Sequence, residues 1–199
     1  STLGAGYTTT NATNADGDYL SIYFNTSSGV KFNGISGVDN ADVAASNGIV
    51  HIVDAVIGLP TIVTFATADP TFEKLVAGLT TENLNTNYVS VLSSNTSPSP
   101  YTVFAPTNEA FDSLLIELEI NSLNDLNTTT IEQTLNTHVV FGANVRSEDL
   151  TQDMSVSTEG DTLTISLENG AQLIDLNNRV ADIIAVDVQA NNGVIHVIN

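Results

Sequence analysis

The chain contains no cysteine and no tryptophan, and its only permanent cations are Lys31, Lys74, Arg146 and Arg179. Without cysteine there is neither a disulfide framework nor a thiolate metal site. That absence leaves the compartment open, because a domain large enough to bury its own core folds outside the cell without disulfides. Four cations against 23 Asp and Glu give a formal net charge of −19. Such a surface repels phosphate backbones and anionic lipid headgroups, so nucleic acid is not an expected partner. It favours basic partners and divalent cations instead. No apolar run reaches the roughly 18 residues of a membrane-spanning helix. The best candidate, residues 49–59, is interrupted by His51 and Asp54, and direct membrane insertion is not expected. No secretory leader opens the chain, as expected of a mature or trimmed protein. Neither a Gly-x-Ser-x-Gly elbow nor a Gly-x-x-x-x-Gly-Lys loop occurs. An enzyme is therefore not expected, and no cofactor is called for.

Apolar residues, by contrast, are plentiful. At 42% hydrophobic and a mean hydropathy of +0.12, the chain can bury a core despite its charge. It also repeats itself. Asn192-Gly193-Val194-Ile195-His196-Val197-Ile198-Asn199 echoes Asn47-Gly48-Ile49-Val50-His51-Ile52-Val53-Asp54 at a constant offset of 145 positions, 192 − 47. Upstream, the stretch from Ser147 to Ile165 resembles the opening stretch to Ile22. An echo of that length marks two copies of a domain-sized unit. The second copy has room to be whole, whereas the first reaches the shared ending too soon to contain a front half. Residues 1–59 are expected to be a remnant, completed by a preceding segment or by another chain.

Between the copies stands Tyr101-Thr102-Val103-Phe104-Ala105-Pro106-Thr107-Asn108-Glu109-Ala110-Phe111, followed by His138-Val139-Val140 and then the shared ending. In this order the three phrases resemble the fasciclin-like domain family. The resemblance implies an α+β fold, a β-sandwich wedge with packed helices, in two tandem copies. It assigns 1–59 to the C-terminal half of a first domain and 60–199 to a complete second one. It also implies extracellular adhesion or matrix proteins, without catalysis in most members.

Local patterns place these phrases on elements. Asp69 is expected to cap a helix that begins at Pro70, with Phe72, Leu75, Val76 and Leu79 on one face. Residues 83–92 could continue helically, burying Leu84, Tyr88, Val91 and Leu92, and 93–100 read as an exposed loop. Residues 102–105 read as a strand stopped by Pro106, after which Thr107 or Asn108 caps a helix buried through Phe111, Leu114, Leu115 and Leu118. A helix over 130–136 then leads into a strand over 138–141. Residues 162–167 alternate, with Leu163, Ile165 and Leu167 inward, and residues 19–24 mirror them. Asn192-Gly193 and Asn47-Gly48 signal hairpins, and a two-residue loop there would set His196 opposite Gln189 and His51 opposite Ala44.

Candidate chemistry is sparse. His51, His138 and His196 each lie among Val or Ile, and read as structural, mostly buried and satisfied histidines rather than zinc ligands. Thr107 and Asn108 read as architectural. Asn14-Ala15-Asp16-Gly17-Asp18 loosely echoes a calcium loop but lacks its later Glu, and reads as a turn. No metal site is expected. In some members of the resembled family an Asp-Ile pair just before the shared ending is associated with receptor binding. The matching residues are Asp42 and Val43 in one copy and Asp187 and Val188 in the other, and they are the candidate partner-binding positions. Sequons occur at Asn11, Asn25, Asn95 and Asn127. The expected function is an extracellular or cell-surface, secreted adhesion and protein-interaction module. Its partner would be a protein or matrix polymer at the cell surface, with homotypic association. The alternative is a glycan- or calcium-dependent polymer-binding module, for which Tyr7 and Tyr101 are the platform aromatics.

Overall fold

Strands over residues 4–199, which the computed structural model describes, fall into two sheets. The first comprises β1 (Gly6–Thr13), β2 (Tyr19–Asn25), β3 (Lys31–Phe32), β4 (Ser36–Ala45) and β5 (Gly48–Val53), each antiparallel to the next. Three short helices follow, α1 (Ile62–Ala68), α2 (Glu73–Leu79) and α3 (Tyr88–Leu92). Next come β6 (Tyr101–Pro106), α4 (Asn108–Glu117), α5 (Thr128–Thr137) and β7 (Val139–Phe141). The chain closes with β8 (Ser155–Ser157), β9 (Thr162–Ser166), β10 (Gln172–Ile174), β11 (Val180–Ala190) and β12 (Gly193–Ile198). The second sheet runs β7-β6-β12-β11-β10-β9-β8, and its one parallel pair is β6 with β12. The fold is α+β.

Period-two alternation on β6 and β12 builds two cores at once. Tyr101, Val103 and Ala105 on β6, with Ile195 and Val197 on β12, face the helices and meet Phe65, Phe72, Leu75, Tyr88, Phe111 and Leu135. Phe104 and Ile198 point the other way, against Val156, Leu163, Ile165 and Leu173. The long β11 connects the two parts of the sheet, which close over this second cluster as a sandwich. The first sheet joins through β1 and β2. The Tyr7 ring lies 4.9 Å from that of Tyr23 and 5.4 Å from that of Phe65 on α1, and the Gln189 backbone N–H donates to Ser21 Oγ at 3.0 Å.

Helix boundaries follow capping chemistry. Asp69 caps the single 3-10 turn Pro70–Phe72 that leads into α2, and Phe72, Leu75 and Leu79 are buried as expected. Of the two candidate caps, Thr107 accepts from Ala110 N–H at 3.2 Å. Asn108 opens α4 and joins two segments, accepting from Lys74 N–H at 3.0 Å and donating to Pro70 O at 2.9 Å. The helix expected over 83–92 forms only from Tyr88, because Asn83 takes a left-handed φ of 64° and Asn87 caps the remainder. Leu118 lies past the end of α4 and Leu167 past the end of β9, and both are exposed rather than inward. His138 is the cap of α5, not the first residue of β7.

The hairpins also differ from the expected register. Ala190 pairs with Gly193 and Ala45 with Gly48, so the loop residues are Asn191-Asn192 and Ser46-Asn47. Val194, not His196, lies opposite Gln189, and Ile49, not His51, opposite Ala44. Both histidines fall instead at bulges that shift the pairing between Ala185 and Val188 and between Asn40 and Val43. Asp187 and Asp42 sit in those bulges with φ of 57° and 59°. A bulge adds one residue to a strand and turns its side chain aside.

Candidate partner-binding site

The bulge residues decide what the candidate Asp-Val pairs can do. In the second hairpin the Asp187 carboxylate accepts from Ser147 N–H at 2.8 Å and from the Ser147 hydroxyl. An Arg146 guanidinium nitrogen stands 3.9 Å away, and Val188 is buried. In this pair Val188 is buried and the carboxylate of the half-buried Asp187 is engaged within the chain. In the first hairpin Asp42 and Val43 are exposed, and Asp42 N–H donates to His51 Nδ1 at 3.3 Å. Of the two pairs, only the first is exposed at both residues.

Histidines of the two copies separate in the same way. His196 is fully buried. Its Nε2 lies 2.9 Å from Val145 O, its ring stacks on Phe104 at 5.6 Å, and Nδ1 has no partner among the described residues. Burial pushes its pKa down from the ordinary imidazole value. His138 Nδ1 donates to Thr134 O at 2.6 Å, and burial lowers this imidazole too. His51, expected to be mostly buried, is exposed. Among the described residues no group of three or more His, Asp or Glu is arranged to hold a metal ion. In the segment that echoes a calcium loop, Asn14 Oδ1 accepts from Asp16 N–H at 3.1 Å and Asp18 N–H at 2.8 Å, which closes a turn.

A polar junction between the two sheets has no motif in the sequence. Asn144 Nδ2 donates to Asp18 Oδ2 at 3.1 Å, its amide exchanges bonds with that of Gln189, and Arg146 lies 3.6 Å from Asp18. The one available signal is scarcity: Arg146 is one of only four cations, and three acids, Asp18, Glu148 and Asp187, stand within 4 Å of it. On the other side of the second unit, a cleft of about 590 Å³ opens between α4, the end of α5 and the sandwich. Phe111, Leu114, Leu163 and Leu173 line it. Arg179 spans its rim, from Asp175 at 2.7 Å to Glu117 at 3.5 Å.

Neither proposed platform aromatic lies open. Tyr101 is fully buried and donates its hydroxyl to Val91 O at 2.9 Å. Tyr7 is half-buried and donates to Asp69 Oδ2 at 2.8 Å. Its phenol is held far above the usual range, first by burial and then by that carboxylate. Among the described residues no helix is long and apolar enough to cross a membrane.

Comparison with known proteins returns to the three phrases. A family model described as Fasciclin domain matches residues 2–60 and 70–199. A protein of Synechocystis sp. described as "Uncharacterized protein sll1735" is 34% identical over 143 residues, 71% of this chain and 96% of that protein. Transforming growth factor-beta-induced protein ig-h3 of Sus scrofa is 33% identical over 162 residues, 80% of this chain and 22% of that protein. Among solved structures, a FAS1 domain pair from the insect cell adhesion molecule fasciclin I is similar in fold. Its TM-score is 0.57 at 20% identity, over 98% of this chain and 65% of that one.

Proposed function

The chain belongs to the fasciclin domain family, and from that premise we propose that it is an extracellular or cell-surface adhesion and protein-interaction module without catalytic activity. What supports this most is that the family model matches both segments, residues 2–60 and 70–199, so that nearly the whole chain is given over to such units. The similar domain pair comes from a cell adhesion molecule. The groups that chemistry would recruit are engaged in holding the fold, since His138 and His196 each bind a backbone carbonyl and Asp187 holds Ser147. The surface left for contact is acidic, which favours a protein or matrix partner with basic groups, or carboxylates bridged by divalent cations.

Beads carrying the chain, presented at physiological salt to surfaces coated with protein or with polysaccharide, test the reading. Retention on protein-coated surfaces is expected. Retention on polysaccharide alone, dependent on calcium, would overturn it in favour of a glycan-binding module, a reading for which Tyr7 and Tyr101 provide no open platform.

A further inference from the structure

The cleft beside α4 lies where the two apolar clusters of the second unit fail to meet. Phe111 belongs to the cluster under the helices, and Leu163, Leu173 and Ile198 belong to the cluster inside the sandwich, yet all four border the same opening of about 590 Å³. Leu114, on α4, is half-buried beside them. A space of that volume between apolar walls has the dimensions of a small-molecule site, and its floor offers water few hydrogen bonds. One end is shut by close packing. A Cβ on Gly160, in the turn between β8 and β9, would stand 2.6 Å from Thr137 N at the end of α5.

The polar groups around the opening are mostly acceptors. Glu117, Asp161 and Asp175 border it against one cation, Arg179, and that guanidinium is already taken up by Asp175 at 2.7 Å and Glu117 at 3.5 Å. Asp161 is exposed and pairs with no cation among the described residues, while its Oδ1 accepts from Thr162 N–H at 2.7 Å. The second oxygen is left for a donor. Thr134 and Thr137 give their hydroxyl hydrogens to Thr130 O and Gln133 O and keep lone pairs. His138 gives Nδ1–H to Thr134 O, so its neutral ring presents Nε2 as an acceptor. A carboxylate or phosphate entering here meets three acids and a cation that is already neutralised. An ammonium meets attraction instead.

We infer that this cleft is a binding site for an apolar amine, a small molecule whose hydrocarbon body lies against Phe111, Leu114, Leu163 and Leu173 and whose ammonium group donates to Asp161 at the mouth. The apolar walls supply affinity and the negative rim selects the head group. The site is built wholly from residues 106–199 and lies apart from Asp42 and Val43, so the adhesion reading stands or falls without it.

Decylamine and decanoate, with chains of equal length and opposite head groups, are titrated into the full chain at neutral pH below the concentrations at which they self-associate. Methyl NMR of leucine and isoleucine is the readout. Decylamine is expected to shift Leu114, Leu163, Leu173 and Ile198 together, and to bind on the order of tenfold more tightly than decanoate. Ala110→Phe puts a ring into the cleft from α4 and should abolish those shifts. Asp161→Asn keeps the acceptor for Thr162 N–H and removes the charge, which should weaken decylamine about threefold and leave decanoate no weaker. An acidic chain attracts any cation, so shifts spread over the surface that survive both substitutions overturn the inference. Decanoate that binds as tightly as decylamine overturns it too, as does the absence of a saturable shift at the four residues. Should Ala110→Phe not fold, Asp161→Asn, a change confined to an exposed side chain, decides alone.

Discussion

His196 and His51 occupy the same place in two copies and meet opposite surroundings, which makes them a controlled comparison of what burial does to an imidazole. His196 is buried with Nε2–H on Val145 O and Nδ1 unpartnered, so its neutral form is favoured and its pKa lowered. Burial lowers His138 in the same sense. In the unfolded chain both titrate near the ordinary value of about 6.5. Their folded pKa values lie below it, so the unfolded state takes up protons first as pH falls. The stability that depends on neutral imidazoles is present above about 6.5 and is lost as pH drops through that value toward the folded pKa values. Denaturant unfolding at about pH 7.5 and 5.5 should therefore show a loss of stability in the native chain that is smaller in His196→Gln. At neutral pH the same substitution should cost about 1–3 kcal/mol, through lost packing on Phe104 and an imperfectly met carbonyl. Tyr7→Phe tests a second buried bond. Removing the donor to Asp69, itself buried, should cost about 1–2 kcal/mol in the same measurement.

At the scale of elements, the Pro-Thr-Asn-Glu-Ala-Phe phrase works as a strand stop, a cap, a clasp and an anchor. Thr107→Ala should lower stability by about 1 kcal/mol, the usual worth of such a cap. Asn108→Ala should cost about as much for a different reason, the loss of two bonds that hold α4 to Pro70 and Lys74. Thermal melts followed by circular dichroism check both, and an unchanged melt in Asn108→Ala would show that its clasp contributes nothing. These local devices were legible because their chemistry is contained in a few neighbouring residues. The α+β class was legible too, through the resemblance that the three phrases carry, and so were most of the longer strands and helices, from two periodicities; α1 and the short β8 and β10 were not. What could not be read depended on distant partners or on backbone conformation. The truncation of α3 rests on a left-handed Asn83, which asparagine tolerates but does not announce. The bulges at Asp42 and Asp187 displace the histidine register although Asn-Gly stands in both turns. The Arg146 junction joins residues more than a hundred positions apart, Asp18 among them. The unequal fate of the two hairpins lies outside their own sequences, in whether a β6 is beside them.

The whole molecule is governed by a net charge of −19. Raising ionic strength from about 0.01 M to 0.1 M shortens screening from about 30 Å to about 10 Å. Two copies repel less in that range, so homotypic contact should strengthen with sodium chloride, and strengthen further where calcium bridges carboxylates. Sedimentation across a salt series, with and without millimolar calcium, reads this directly. Self-association that weakens steadily with salt and ignores calcium would refute it, since that trend belongs to attraction between unlike charges. The position of β12 has a consequence for biosynthesis. It lies at the centre of its sheet, between β6 and β11, yet the ribosome delivers it after every other element of the unit. At about 5–20 residues per second, β6 waits roughly 5–20 s for its parallel neighbour. During that interval its apolar edge is open to strands from adjacent nascent chains on the same message.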